Sequence, residues 1–420
     1  MRLTIYSHDT YGLGNIRRML EICKYFLKTL SNCSILLISG SPLLHSFRLP
    51  KGLDYIKIPC IGRDLEGELS AQYLKIDTDE TLELRSQIIR TAIINFKPDL
   101  LLVDKKPYAL KGELKDTLEY LEKFLPKTKV VLLLRDILDA PEKTISEWQE
   151  NQYYQGIERY YDRIQVVGMQ EIFDVTKEYQ FPSNIAKKVK FCGYIRRESG
   201  IKTADILRQE LQVKSNEKIV LVTAGGGADG YKLIDNYLKG IERNKLQNNI
   251  KNIIISGPEM PLEQREQLKK NAANNPKIKI IEFTDDLNSY MEAADLVVAM
   301  GGYNTICEIL SLNKKAVIIP RIKPVKEQWI RTTRMAKLGL FKAIHPELLT
   351  PENMMQAVLE QLNQKRPPIS NIERIVDLDA LPRIKEDISF LLGLDNNHNL
   401  SGLGNFCKRA KFFPKIEKIS

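Results

Sequence analysis

Several short stretches combine glycine with side chains able to hold an anion, a sugar hydroxyl or a proton. The first runs Ser7-His8-Asp9-Thr10-Tyr11-Gly12-Leu13-Gly14-Asn15-Ile16-Arg17-Arg18, from an apolar run into a helical pattern. Gly12 and Gly14 let backbone approach a ligand, and a helix N-terminus followed by Arg17 and Arg18 favours an anion or a polar sugar. His8 or Asp9 can serve as general base toward an acceptor hydroxyl. The structural alternative is a tight turn with an exposed histidine, and the residues alone leave both open. A dinucleotide fingerprint fits poorly, because Arg17 stands where its third glycine belongs.

A second stretch, Thr223-Ala224-Gly225-Gly226-Gly227-Ala228-Asp229-Gly230, offers backbone N–H groups that can cradle a phosphate. Gly225, Gly227 and Gly230 formally satisfy GxGxxG, which makes a nicotinamide or flavin enzyme a rival. The next apolar run ends Ile255-Ser256-Gly257, without the acidic residue that would hold an adenosine ribose, and this weakens the rival. In the third stretch, Phe283 closes a strand where a base can stack. Gly301 and Gly302 close the next strand and open a helix whose N-terminus can meet a diphosphate, and Glu308 in that helix can accept hydrogen bonds from ribose hydroxyls. Here too a structural account competes: Thr305-x-x-Glu308 fits a capping box, and Thr284-Asp285-Asp286 a second helix start. In the fourth, Pro320 to Gln328, Glu327 and Gln328 offer partners for sugar hydroxyls beside Arg321, although such residues are commonplace in a first helical turn. Asp136 and Asp139, in Arg135-Asp136-Ile137-Leu138-Asp139, can supply an acid or base or form a salt-bridged loop.

These loops need strands to carry them. Short β-branched or Leu-rich runs alternate with amphipathic stretches throughout, which predicts βα units and parallel sheets. The first half offers Leu3–Ser7, Ile35–Ser39, Tyr55–Ile58, Leu100–Val103, Val130–Leu134 and Ile164–Val167, with Phe191 to Arg197 as a last strand. The pattern restarts with Ile219–Val222, Ile253–Ile255, Ile278–Ile281, Leu296–Ala299 and Ala316–Ile319. The expected fold is α/β, two Rossmann-like parallel-sheet domains facing a cleft. Ligands of such sheets lie beyond the carboxyl ends of the strands, where the loops above fall. The expected division is residues 1–197 for acceptor binding, 198–375 for the nucleotide sugar, 376–394 as a helix returning to the first domain, and 395–420 as a basic, aromatic tail.

Composition narrows the class. The 420 residues exceed one ordinary core, and 43% hydrophobic with 28% charged residues is globular. The six cysteines are scattered without metal-ligand spacing, which predicts reduced thiols and no metal site. No signal-like or membrane-spanning run appears, so a cytoplasmic location is expected. A net charge of +10 suits anionic partners, yet the charges are dispersed and no nucleic-acid motif is present, so nucleic acid is not expected.

Together the four glycine-bearing loops resemble those of GT-B glycosyltransferases, in the family that includes the peptidoglycan N-acetylglucosamine transferase MurG and diacylglycerol galactosyltransferases. The SHDxxGLGxxRR start is similar to that of a bacterial branch of predicted glycosyltransferases. The resemblance extends to about Leu392 and is most specific from Phe283 to Gln328. It implies that Phe283 and Thr284 contact the base, and that Gly301, Gly302, Asn304 and Thr305 contact the diphosphate. It further implies that Glu308 binds the ribose, Glu327 and Gln328 meet the donor sugar, and Gly225 to Gly227 face the cleft. The substrate-binding set is completed by Gly12, Gly14, Asn15, Arg17 and Arg321.

The implied reaction is an inverting, metal-independent transfer from a nucleotide diphosphate sugar, most often a UDP-sugar, to an unidentified acceptor hydroxyl. No cofactor is expected, the nucleotide sugar being substrate. One departure matters: the family's first glycine loop continues Gly-His, and this chain has Gly14-Asn15. Asparagine is no base, so His8 or Asp9, or failing them Asp136 or Asp139, takes that role, or the activity is altered. A nucleotide-sugar hydrolase or epimerase, or a noncatalytic nucleotide-sugar-binding protein, are the alternatives. The tail from Asn405 to Lys418 mixes basic and aromatic residues, which suits a lipid-linked acceptor at an anionic membrane surface and equally suits packing as a last structural element.

Overall fold

The computed structural model describes residues 1–8, 14–63, 69–244, 249–364 and 369–394. The chain divides into two compact units. One comprises Met1–Tyr194 with the segment starting at Asp379, and the other spans Ile195–Leu378, so the polypeptide passes between units at 194/195 and again at 378/379.

In the first unit the strands are β1 (Arg2–Ser7), β2 (Ser34–Ser39), β3 (Leu53–Lys57), β4 (Ile61–Arg63), β5 (Leu69–Ala71), β6 (Leu100–Asp104), β7 (Lys129–Arg135), β8 (Arg163–Val167) and β9 (Val189–Phe191). All but β4 and β5, which pair as an antiparallel ribbon, form a seven-stranded sheet in the order β3-β2-β1-β6-β7-β8-β9. Every pairing in that sheet is parallel. A parallel sheet covered on both faces selects unbroken apolar runs, and every residue of β6 is accordingly buried. The last strand is shorter than the sequence suggests. It stops at Phe191, and Gly193, at a φ of +84°, turns the chain away. The helix Ala380–Leu391 packs on this unit through Ile384 and Ile388, while Gln165 donates to Asp387 at 2.9 Å and Arg383 to the carbonyl of Cys192 at 3.1 Å.

The second unit repeats the scheme with β10 (Lys218–Thr223), β11 (Ile250–Ile255), β12 (Ile278–Ile281), β13 (Leu296–Ala299), β14 (Ala316–Ile318) and β15 (Lys342–Ala343), in the order β12-β11-β10-β13-β14-β15. The helix Tyr231–Arg243 buries Leu233, Ile234, Tyr237, Leu238 and Ile241, the stripe expected of a helix lying on a sheet. Each such apolar side chain contributes roughly 1.5–3 kcal/mol on burial. Gly240 lets the helix Pro351–Asn363 approach, since a β-carbon there would lie 2.5 Å from Met355.

Both sheets reverse direction beside their first strand. Winding goes β1 to β3 on one side and resumes with β6 on the other, just as β10 to β12 is followed by β13. At such a reversal the carboxyl ends of the strands, β1 and β6 in one sheet and β10 and β13 in the other, are where open parallel sheets bind their ligands. Among the described residues no helix is long and apolar enough to cross a membrane.

Candidate functional site

In the second unit the switch brings together the loops after β10 and β13. Thr223 to Gly230 leaves β10, with Gly225 at φ +66° and no atom within 4 Å of where a β-carbon would stand. Gly302 is likewise open, and it caps the helix Tyr303–Ser311. These two positions present bare backbone and a helix N-terminus to a ligand. The neighbouring glycines pack instead. A β-carbon on Gly227 would fall 2.3 Å from the carbonyl of Ser256, and one on Gly301 2.5 Å from the Thr332 hydroxyl.

Several expected ligand contacts are held by protein partners. Glu327 is buried and ion-paired with the fully buried Arg331 at 2.6 Å, and Arg331 also donates to the carbonyl of Gly301 at 2.9 Å. Gln328 accepts from the backbone N–H of Arg321 at 3.0 Å, and the Arg321 guanidinium reaches Asp229 at 3.4 Å, joining the fourth loop to the glycine loop. Asn304 accepts from Arg197 at 2.6 Å. Glu308 is buried in the second turn of its helix. Because Gly302 is the N-cap, Thr305 lies inside the helix, so the capping-box account of Thr305 and Glu308 is replaced.

Phe283 lies two residues beyond β12 rather than closing it, and is 53% exposed, a free ring face for a planar group. Thr284 accepts from the N–H of Asp286 at 3.1 Å, and Asp286 caps the helix Leu287–Ala293, so a helix does start there. One carboxylate beside the glycine loop was not visible in sequence. A β-carbon on Gly226 would stand 2.7 Å from a carboxylate oxygen of Glu259, whose carboxyl is pushed up by burial and by Asp229.

In the first unit the switch holds a polar network. Arg18, buried in the helix Gly14–Thr29, pairs with the buried Asp104 at 2.6 Å and reaches Asn15 Oδ1 at 3.4 Å. Asp104 also accepts from the backbone N–H of His8 at 3.3 Å, and the Asn15 amide donates to the His8 carbonyl. Asn15 thus serves as a clamp on the end of β1. The exposed histidine of the tight-turn alternative is not found: His8 is 2% exposed, and burial, reinforced by Lys105, Lys106, Arg85 and Arg135, holds its imidazole well below the ordinary value. Beneath it, Glu113 receives Tyr6 and both Arg85 Nε (2.6 Å) and a second Arg85 nitrogen (2.8 Å).

Gly14 opens its helix, with Arg17 half-buried on it. Asp9 and Gly12 lie outside the described residues. Asp136 is buried, accepting from Ile137 N–H at 2.8 Å and from the Tyr194 hydroxyl at 3.1 Å. Asp139 accepts from Ala140 N–H at 2.8 Å and pairs with Lys143 at 3.2 Å, which favours the salt-bridged loop. Asp104, Lys105, Arg331 and Glu259 belong to these networks without being marked by any motif in the chain. The available signal was a charged residue ending a wholly apolar strand, as Asp104 ends Leu100–Val103.

Two parallel-sheet units in one chain, the second with open backbone and a helix N-terminus at its switch, correspond to the GT-B class. Residues 219–381 match the family model described as the glycosyltransferase family 28 C-terminal domain. The fold is similar to that of Acinetobacter baumannii MurG, with a TM-score of 0.59 and 13% identity over 93% of this chain and 99% of that one. It is equally similar to UDP-GlcNAc 2-epimerase from Methanocaldococcus jannaschii, with a TM-score of 0.60 and 15% identity over 93% of this chain and 100% of that one. In sequence, the chain is 26% identical over 188 residues to the UDP-N-acetylglucosamine–N-acetylmuramyl-(pentapeptide) pyrophosphoryl-undecaprenol N-acetylglucosamine transferase of Clostridioides difficile, covering 44% of this chain and 45% of that protein. The chain spans about half the length of the curated relatives it matches. The fold is that of GT-B proteins, and residues 219–381, nearly all of them in the second unit, are similar to the glycosyltransferase family 28 C-terminal domain.

Proposed function

We propose that the chain is a glycosyltransferase that moves a sugar from a nucleotide diphosphate sugar, a UDP-sugar by preference, to an acceptor hydroxyl bound by the first unit. The observation that carries this is the match to the family 28 C-terminal domain, together with switch loops that leave Gly225 and Gly302 bare, the latter at a helix N-terminus. In this proposal the diphosphate lies against Gly302, Asn304 and Thr305, and the base stacks on Phe283 with Thr284 beside it. Glu308 holds the ribose, and Glu327 and Gln328 shape the sugar pocket from beneath through Arg331 and Arg321. N–H groups at the helix N-terminus stabilise the charge gathering on the leaving diphosphate without a metal, and inversion follows from a single displacement. The relative from Clostridioides difficile, by its name, acts on a pyrophosphoryl-undecaprenol acceptor. A lipid-linked acceptor, met at the inner face of a membrane, is the corresponding proposal here. The tail from Asn405 to Lys418 belongs to that proposal as a membrane contact, and it lies outside the described residues.

Incubation with UDP-, GDP- and dTDP-sugars, with and without a lipid extract, tests the proposal. Nucleotide diphosphate released only with the extract supports transfer. The fold likeness to an epimerase supports a second reading on the same scaffold. Interconversion of sugars without acceptor would establish that reading instead, and release without acceptor would indicate a hydrolase.

A further inference from the structure

The family's base position carries Asn15 here, and Asn15 is engaged with the His8 carbonyl. His8 is almost wholly buried, and Asp136 accepts hydrogen bonds at both carboxylate oxygens. Asp9 lies outside the described residues, and one further side chain with an available lone pair lies at this switch. Lys105 directly follows β6, at the switch between β1 and β6 where a ligand of the first sheet belongs. Its backbone sits at a φ of +71°, a left-handed conformation that a residue with a side chain keeps only when its surroundings impose it. What imposes it is visible: the Lys105 N–H is tied to the carbonyl of Leu133 on β7 at 2.9 Å. The side chain is half-buried and makes no hydrogen bond or ion pair with a described residue.

We propose that Lys105 is the catalytic base of the transfer reaction, taking the proton of the acceptor hydroxyl in place of the residue that Asn15 replaces. The inference rests on the transferase function proposed above. In the step, the acceptor O–H bond breaks and the proton passes to Lys105 Nζ. The oxygen's electron pair forms the bond to the anomeric carbon, and the bond from that carbon to the diphosphate oxygen breaks, its pair leaving with the nucleotide diphosphate. The Lys105 ammonium then returns its proton to water.

The charged groups around Lys105 suit this task. Arg135 ends β7 and Lys106 follows in the chain, both cationic. The nearby carboxylates are already engaged, Asp104 by Arg18 and Glu147 by Lys106, and the neighbouring His8 is held well below its ordinary value by burial and then by Lys105 itself. Burial, then Arg135 and Lys106, pull the Lys105 ammonium down to about 7, against the smaller opposing pull of Asp104 and Glu147. A base poised near the working pH has both the free lone pair and the driving force for proton transfer. The competing role is that of a plain cation holding an anionic acceptor. A guanidinium fills that role as well as an ammonium but cannot act as a base, so arginine separates the two.

The full chain is assayed with UDP-N-acetylglucosamine and a total bacterial lipid extract, and in parallel its lysines are labelled with acetic anhydride across a pH series and read by peptide mass spectrometry. The expected results are a turnover that rises with pH through about 7 and acetylation of Lys105 with the same midpoint. Lys105→Arg should lower kcat by roughly a hundredfold or more at unchanged donor KM and melting temperature, and ethylamine should restore part of the turnover of Lys105→Ala. Full activity in Lys105→Arg overturns the proposal in favour of anion holding. Acetylation of Lys105 with the pH dependence of an ordinary surface amine overturns it as well. If the wild type releases no nucleotide with any extract or donor, the transferase function itself fails, and Lys105 as its base falls with it. Loss of the pH limb in Lys105→Arg while the wild type transfers would tie the limb to this residue alone.

Discussion

Replacing Arg331 with methionine tests how the donor loops are supported. Arg331 is fully buried, pairs with Glu327 at 2.6 Å, donates to the Gly301 carbonyl at 2.9 Å, and lies 5.6 Å from the centre of the Tyr303 ring. Methionine fills much of the volume but leaves the Glu327 carboxylate buried without its cation. Breaking a buried pair in this way costs about 3–5 kcal/mol. The lost bond to Gly301 shares the same guanidinium, so its energy overlaps rather than adds, and about 4 kcal/mol is the working figure. At roughly 2–4 °C per kcal/mol for a unit of this size, the melting transition of the second unit should fall by about 8–16 °C. The double variant Glu327→Leu with Arg331→Met removes both charges and should recover about half of that loss, because desolvation of a buried pair offsets most of its attraction. Calorimetric melts of the full chain with both variants, alongside UDP titration, give the measurement. A loss under about 1 kcal/mol in Arg331→Met, or a double variant worse than the single, would refute the view that Glu327 acts structurally here. So would Glu327→Gln if it left the melt unchanged while weakening donor binding.

Other expectations follow from the same geometry. Glu308→Gln keeps the shape but removes the charge, and should weaken UDP binding by about 1–3 kcal/mol in a calorimetric titration, whereas unchanged affinity with a lower melt would make the residue structural. Gly227→Ala should destabilise far more than Gly225→Ala, since both have positive φ but only the first places a β-carbon 2.3 Å from a backbone oxygen. The Gly225 variant should lose only about 1–2 kcal/mol, and denaturant melts that failed to separate the pair would contradict the packing described. His8 has a depressed pKa in the folded chain, so folding releases its proton once the unfolded histidine is charged. Its contribution is complete above the ordinary value of 6.5 and declines as pH falls below it, toward the lower folded value. The slope approaches about 1.4 kcal/mol per pH unit, and His8→Gln should flatten stability between pH 6.5 and 5.

Much of this protein is legible along the chain because the relevant physics is local. Apolar runs such as Val130–Leu134 and Ile219–Val222 lie within strands covered on both faces, and glycines followed by helical patterns mark loops leaving the strand ends. Thr284 to Asp286 reads as a helix start because a cap needs only neighbouring residues. The chain was less informative wherever two distant segments share a partner. Glu327 looks like a sugar contact in sequence, and only packing reveals Arg331 one turn on, occupying it and the Gly301 carbonyl together. Among Gly225, Gly226, Gly227, Gly301 and Gly302 nothing in the residue type separates open backbone from close packing. That depends on whether Ser256, Glu259 or Thr332 stands behind each one. The ionisable groups show the same limit. Residue type nominates His8 as a base, but a side chain's proton affinity is set by burial and by charges brought from other strands. Asp104, Lys105 and Arg135 meet His8 only because β1, β6 and β7 lie side by side in the folded sheet.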